Sequence, residues 1–236
     1  MQSCNPSHEA FSSRQSTTSC ANVRVVGCVF SECRSQEEGS ALFVSIKGSV
    51  VIRRTAFRSC STTKYAGALS CKAGALSMDR VCCFDCFASL KKSEENNVIH
   101  AAKLNGAVAK SPIGVSLCGF TFCPRGIMKT DETVGFGTKC VVAFRDNNLT
   151  ENKVGRDEMV AFCDGSSVGE PVARCNLGSS ISGEIIYTYS KTTVEMCNII
   201  GNEPGIGNQQ LLYDYKPITL LNCVIAHNTH PSLSHY

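Results

Sequence analysis

Cys33, Cys60, Cys86 and Cys123 each stand three residues after an apolar residue: Phe30, Phe57, Cys83 and Phe120. Asn152, Asn202 and Asn228 stand three after Leu149, Ile199 and Ile225. A series of thiols could close disulfides or hold a soft metal, and a series of amides could form a hydrogen-bonded ladder. Adjacent parallel strands lie ~4.8 Å apart, within the Cα separation a disulfide allows. Side chains leaving parallel strands in one direction disfavour its torsion, so free buried thiols are expected rather than bridges. Cys83-Phe84-Asp85-Cys86 is the one C-x-x-C, with no second pair at zinc-site spacing, so no metal is assigned to it.

Other chemistry-bearing residues are sparse. His227-x-x-His230, with His235 beyond, lacks a nearby acidic or cysteine ligand and reads as a solvated tail. Gly135-Phe136-Gly137 and Gly205-Ile206-Gly207 are turn fragments, not phosphate-binding loops. Glu37-Glu38, Glu94-Glu95, Asp131-Glu132 and Asp157-Glu158 recur in one connection and could face a hard cation. The same connections carry Lys64, Lys91, Lys92, Arg125, Lys153 and Arg156, so a hydrated mixed-charge edge is expected there. Asn148-Leu149-Thr150 is a candidate N-glycosylation sequon at Asn148, relevant only to a secreted chain. No cofactor is expected.

What must position these residues is a repeat. Five residues before each apolar anchor stand Val25, Ile52, Met78, Val115, Phe144, Val194 and Leu220. Seven before it stand Val23, Val50, Leu76, Ile113, Val142, Thr192 and Ile218. Two before it stand Cys28, Thr55, Val81, Cys118, Asn147, Cys197 and Cys223. A degenerate copy is expected around Val172, Cys175 and Leu177. Alternation with period two means strands with one buried face. Ala41-Leu42-Phe43-Val44, Ala68-Leu69-Ser70-Cys71, Met159–Phe162, Ile185-Ile186-Tyr187 and Leu211-Leu212-Tyr213 supply a third such run. Three short strands in about 28 residues make one coil of a solenoid, which buries its inward side chains only by stacking.

The expected fold is therefore all-β: a solenoid of about eight coils with three short parallel sheets. A leucine-rich repeat is the alternative, since Ile218, Leu220, Cys223 and Ile225 fit its core. That pattern also wants an apolar residue three before the first of these, where Lys47, Lys110 and Lys139 stand instead. The chain has 236 residues, 43% of them hydrophobic, enough for a packed core. A net charge of +3, scattered along the chain, argues against a nucleic-acid partner. No run of ~18 apolar residues is present, so no transmembrane helix is expected. No signal peptide or anchor is visible, which leaves a cytoplasmic location as an alternative.

Phe30-Ser31-Glu32-Cys33, Phe57-Arg58-Ser59-Cys60 and Phe120-Thr121-Phe122-Cys123, with Gly39-Ser40-Ala41-Leu42 and Gly67-Ala68-Leu69, carry a family resemblance. They resemble the F-x-x-N and G-G-A-I motifs of polymorphic outer-membrane (Pmp-type) proteins and of surface proteins in parasitic protists. More broadly they resemble the right-handed parallel β-helix, or pectin-lyase-like fold. The departures are cysteine for asparagine and incomplete glycine motifs. The resemblance implies an extracellular or cell-surface protein of adhesin-like, non-enzymatic character, displaying loops to a host or cell-surface protein or glycan. A carbohydrate-active lyase or hydrolase is the second expectation, and a leucine-rich-repeat interaction protein the third. Hydrolases of this fold need clustered carboxylates. Asp79, Asp146 and Glu195 fall in the break between two strands of non-adjacent copies, hence far apart. Arg53, Arg54 and Arg80 offer a basic spot without an acidic partner set.

Residues 1–21 are expected to form an irregular cap or an earlier coil, residues 22–228 the β-helix, and residues 229–236 a tail on an incomplete coil. An unprotected final edge implies end-to-end self-association and a fragment of a longer solenoid.

Overall fold

A computed structural model describes residues 4–64, 66–88, 100–121, 123, 133–137, 140–152, 158–162, 167–168, 171–182, 184–204, 211–214 and 216–229. One coil shows how the chain is laid out. Ser49–Arg53 belongs to a first sheet, Ala56–Arg58 to a second and Ala66–Ala73 to a third. Val50 and Ile52 are buried while Ser49, Val51 and Arg53 face outward, as period two requires. The described residues contain no helix, and every strand pairing is parallel, each strand bonded to its counterparts in the neighbouring coils. The three sheets contain 9, 9 and 8 strands. The return segment, where a leucine-rich repeat would turn through helix, is strand at Leu42–Ser45, His100–Gly106 and Glu184–Thr188.

The columns read from sequence are physical stacks. In the first sheet Val25, Ile52, Met78, Val115 and Phe144 follow one another across paired strands, and Val172, Val194 and Leu220 continue the line. In the second sheet the run is Phe11, Phe30, Phe57, Cys83, Phe120, Leu149, Leu177, Ile199 and Ile225. The rings of Phe11, Phe30 and Phe57 stack with centroids 4.9 Å apart, which is the spacing of the strands themselves. The degenerate copy is real. Val168 pairs with Val142 and Leu177 with Leu149, and two extra residues separate Val168 from Val172. Strand pairing starts before residue 22: Ala10–Phe11 lies on Val29–Phe30, and Gln15–Thr17 lies on Leu42–Val44.

The glycine motifs serve close approach. Gly39 has φ +67°, a region that glycine enters without a Cβ penalty. A Cβ on Gly67 would run into the backbone of Phe87 one coil on. The motif therefore marks where the chain enters the third sheet tightly against its neighbours.

The stack makes a specific demand on the core. Phe57→Ala removes a fully buried ring stacked on Phe30 and is expected to cost ~3–5 kcal/mol. Val51→Thr, one strand residue outside the core, is expected to stay within ~0.5 kcal/mol. Urea midpoints of the two variants measure the contrast, and equal shifts would contradict this assignment of faces.

Candidate functional site

The seven column residues Cys33, Cys60, Cys86, Cys123, Asn152, Asn202 and Asn228 lie at the bend that follows the second sheet. The first six are buried and Asn228 is half-buried. Their hydrogen bonds explain why one column accepts two residue types. The Asn152 Oδ1 accepts the N–H of Cys123 (2.8 Å), and its Nδ2 donates to the Phe120 carbonyl (3.0 Å). Asn202 donates to Leu177 O, and Asn228 accepts from the N–H of Asn202 and donates to Ile199 O. Cysteines play both parts more weakly. Cys123 Sγ accepts the Cys86 N–H (3.3 Å), and Cys60 Sγ donates to Phe30 O (3.7 Å). Asn152, Asn202, Asn228 and Cys123 each take an N–H from the coil before and donate to the carbonyl of that coil's apolar anchor. Ser180 is the missing rung between Asn152 and Asn202: it accepts the Asn152 N–H and gives its own to Asn202 Oδ1. A search confined to cysteine and asparagine passes over it.

At the bend between the first and second sheets, Asn147 and Cys197 make the same pair of bonds, while Thr55 and Cys28 donate within their own coils and Val81 makes no side-chain bond. Asn147 accepts the Cys118 N–H and donates to Val115 O. Cys197 accepts the Cys175 N–H (3.4 Å) and donates to Val172 O (3.4 Å), and Cys223 donates to Val194 O (3.3 Å). Wherever the residue before a rung is itself described, it has positive φ: Gly27, Arg54, Arg80, Leu117, Asp146, Arg174, Met196 and Asn222 at one bend, and Glu32, Ser59, Asp85, Glu151, Ser179, Gly201 and His227 at the other.

The thiols on these rungs and in the core are free: Cys28, Cys33, Cys60, Cys71, Cys83, Cys86, Cys118, Cys123, Cys140, Cys175, Cys197 and Cys223, with Cys82 free at the surface. One bridge was not foreseen, Cys4–Cys20, with Cα atoms 6.2 Å apart across the first stacked segment. Burial pushes the Cys71 thiol up to about 12. It pushes Cys118 up to about 12 and Cys140 up to about 11. Cys60 is lowered because Cys33 and Cys86 both direct S–H groups at its sulfur. Among the described residues no group of three histidines, cysteines or carboxylates could hold a metal ion. Cys83 and Cys86 occupy two different columns, the anchor and the rung.

The remaining candidates do not converge. Asp79 lies beside Arg53 and Ser116, and Glu195 beside Ala173 and Leu221. Asp146 is bound to Arg174 at 2.6 and 2.8 Å, and that guanidinium holds its carboxyl below the usual range. Glu38 accepts from Ser70 Oγ at 2.8 Å and stands 3.9 Å from Lys103. His227 takes a bend position, while His230 and His235 lie outside the described residues, as do Glu94, Glu95, Asp131, Glu132 and Asp157 and the fragment Gly205–Gly207. Asn148 is exposed on the second sheet, where Asn176 Nδ2 donates to its Oδ1 (2.8 Å) and Asn198 follows in the same row.

The same sheet carries a surface on which mixed chemistry gathers. Ala56, Cys82 and Gly119 form an outward row of small residues. On one side stand the bend residues Arg54 and Arg80, with Arg53 behind them; on the other stand Arg58, Phe84 and Thr121. All four arginines are exposed, and Phe84 is 41% exposed. The strip offers planar cationic forks beside an aromatic face, a combination suited to acidic, ring-shaped ligands. Its signal in the sequence was Arg53, Arg54 and Arg80; Arg58 and Phe84 join them only through strand register.

Compared with known protein families, with curated proteins and with solved structures, the chain matches none.

Two measurements test the ladder. Asn152→Ala strands the Cys123 N–H and the Phe120 carbonyl, at ~1–3 kcal/mol for each buried group. Asn152→Cys should cost less than half as much as Asn152→Ala in urea unfolding. The Cys71 proton tests the burial: the folded protein keeps it up to about pH 12, whereas an unfolded thiol releases it near 9.0. The folded state therefore binds more protons in that window, so stability falls as pH rises from 9 towards 12. Cys71→Ala should flatten that part of the stability–pH curve.

Proposed function

We propose that this chain is a right-handed, pectin-lyase-like β-helix that displays a binding surface at a cell exterior and does not turn over its ligand. The resemblance to Pmp-type repeats supports the surface location. The parallel, three-sheet architecture supports the solenoid. The observation that carries the reading is the Arg54–Arg80–Arg58–Phe84 strip, set on a rigid sheet whose small central row leaves the flanking side chains accessible. Carboxylates that could protonate a leaving group stand apart along the rod or are tied to arginine, and this arrangement favours binding over cleavage. The ligand class that fits the strip is a glycan bearing carboxylate or sulfate groups, stacked by a sugar face on Phe84 and held through its anions by the guanidiniums.

A glycan array run beside a polysaccharide-cleavage assay tests this reading. Binding to acidic glycans without release of reducing ends or unsaturated products is expected. Arg54→Ala combined with Arg80→Ala should weaken binding about tenfold or more and steepen its loss with salt less than in the parent protein. Phe84→Ala should weaken binding independently of salt. Cleavage of any arrayed polymer would overturn the non-catalytic assignment.

A further inference from the structure

Three rungs of the first-bend ladder, Cys175, Cys197 and Cys223, are thiols in successive coils. Cys175 and Cys197 are buried, and Cys223 is half-exposed. The backbone holds Cys197 and Cys223 at one level. Met196 N–H bonds to Leu221 O (2.9 Å) on one side of the pair, and Val224 N–H bonds to Cys197 O (2.9 Å) on the other. Both sulfurs point the same way, each to a carbonyl of the preceding coil.

The Cys223 coil is also less buried than the coil before it. Val194 and Ile199 are fully buried, but Ile218, Leu220 and Ile225, stacked on Thr192, Val194 and Ile199, are only half-buried. Strands Ile218–Leu221 and Val224–Ala226 stand last in their sheets, each paired on one side among the described residues. Parallel strands put the two Cα atoms ~4.8 Å apart, inside the disulfide range, while the Cβ atoms must approach by somewhat under 1 Å. Half-exposed Cys223, beside half-buried Leu220 and Ile225, has room for that approach. Cys175 and Cys197, fixed between coils on both sides, cannot do so as readily.

We infer that Cys197 and Cys223 form a redox clip, which closes to a disulfide on exposure to a small-molecule disulfide and staples the Cys223 coil to the stack. In the first step the Cys223 thiolate attacks one sulfur of the reagent, expelling one thiolate. In the second the Cys197 thiolate attacks the Cys223 sulfur and expels the other. Two cysteine protons pass to the two leaving thiolates, and the electron pair reduces the reagent to two thiols. The Cys175 N–H donates to the Cys197 sulfur, and contact with the Cys175 side chain lowers the Cys197 thiol to about 7, which favours the resolving step. The same contact raises Cys175, whose proton is committed. The inference is independent of ligand binding by the arginine strip.

Titration of the reduced full chain with oxidised glutathione, followed by acid quench, alkylation and peptide mapping, tests the clip. The expected product links Cys197 to Cys223, carries no bound glutathione and reopens with a dithiol. Cys175→Ala should leave it intact. Cys197→Ser should instead trap glutathione on Cys223, which shows that Cys223 is the entry point even if the product is less stable. Limited proteolysis between residues 218 and 228 should slow on oxidation by about 100-fold, as closure of a loop of this length implies. A persistent mixed disulfide on Cys223 in the parent chain, a Cys175–Cys197 bridge in its place, or two alkylatable thiols under excess oxidant would each overturn the inference.

Discussion

Parallel strands stacked edge to edge satisfy the backbone along their length but not at the bends, where the chain must turn inward without burying unpaired groups. That constraint governs this molecule. At two bends per coil the usual solution is a residue in left-handed conformation followed by a small polar or thiol side chain, with Val81 the exception. A left-handed non-glycine residue costs ~1–2 kcal/mol. The rung behind it offsets that cost by taking one orphan N–H and supplying one proton to a carbonyl, groups that would each cost ~1–3 kcal/mol if left buried and unpaired.

Seen this way, the exchange of cysteine for asparagine along the column is a change of strength within one role. Asparagine makes both bonds at 2.7–3.0 Å at Asn152 and Asn228, whereas sulfur makes them at 3.3 to 3.7 Å at Cys123 and Cys60. The cysteine-rung coils also hold Phe30, Phe57 and Phe120, and the asparagine-rung coils hold Leu149, Ile199 and Ile225. Three of the four cysteine-rung coils thus hold a phenylalanine anchor, and the Cys86 coil holds Cys83. The two halves of the solenoid reach cohesion by different mixtures of dispersion and hydrogen bonding.

Much of this was legible in the sequence because stacking repeats the environment. Ile52, Met78 and Val115 differ in shape, yet each occurs five residues before its anchor, and they follow one another across paired strands in the structure. Position within a coil is a local property, so periodicity reveals it. Ser180 and Val168 were missed for opposite reasons. Ser180 fills a rung with a side chain outside the pattern sought, and Val168 is displaced by two inserted residues. The arginine strip was half visible. Arg53 and Arg54 are neighbours in sequence, but Arg58 meets Phe84 only through inter-coil register, which no single copy contains. The Cys4–Cys20 bridge had no periodic context to announce it.

The left-handed bend residues have one more consequence. Arg54, Ser59, Asp85, Leu117, Glu151, Met196 and His227 all adopt this backbone with φ between 49° and 57°. Cationic, anionic, hydroxylic, aliphatic and imidazole groups all occur there; Arg54, Leu117, Glu151, Met196 and His227 are exposed, and half-buried Ser59 and Asp85 bond to each other. Each position is thus an interchangeable tooth on a fixed rack. Lineages carrying such a rack could diversify what it presents, one tooth at a time, while the machinery that folds it stays constant.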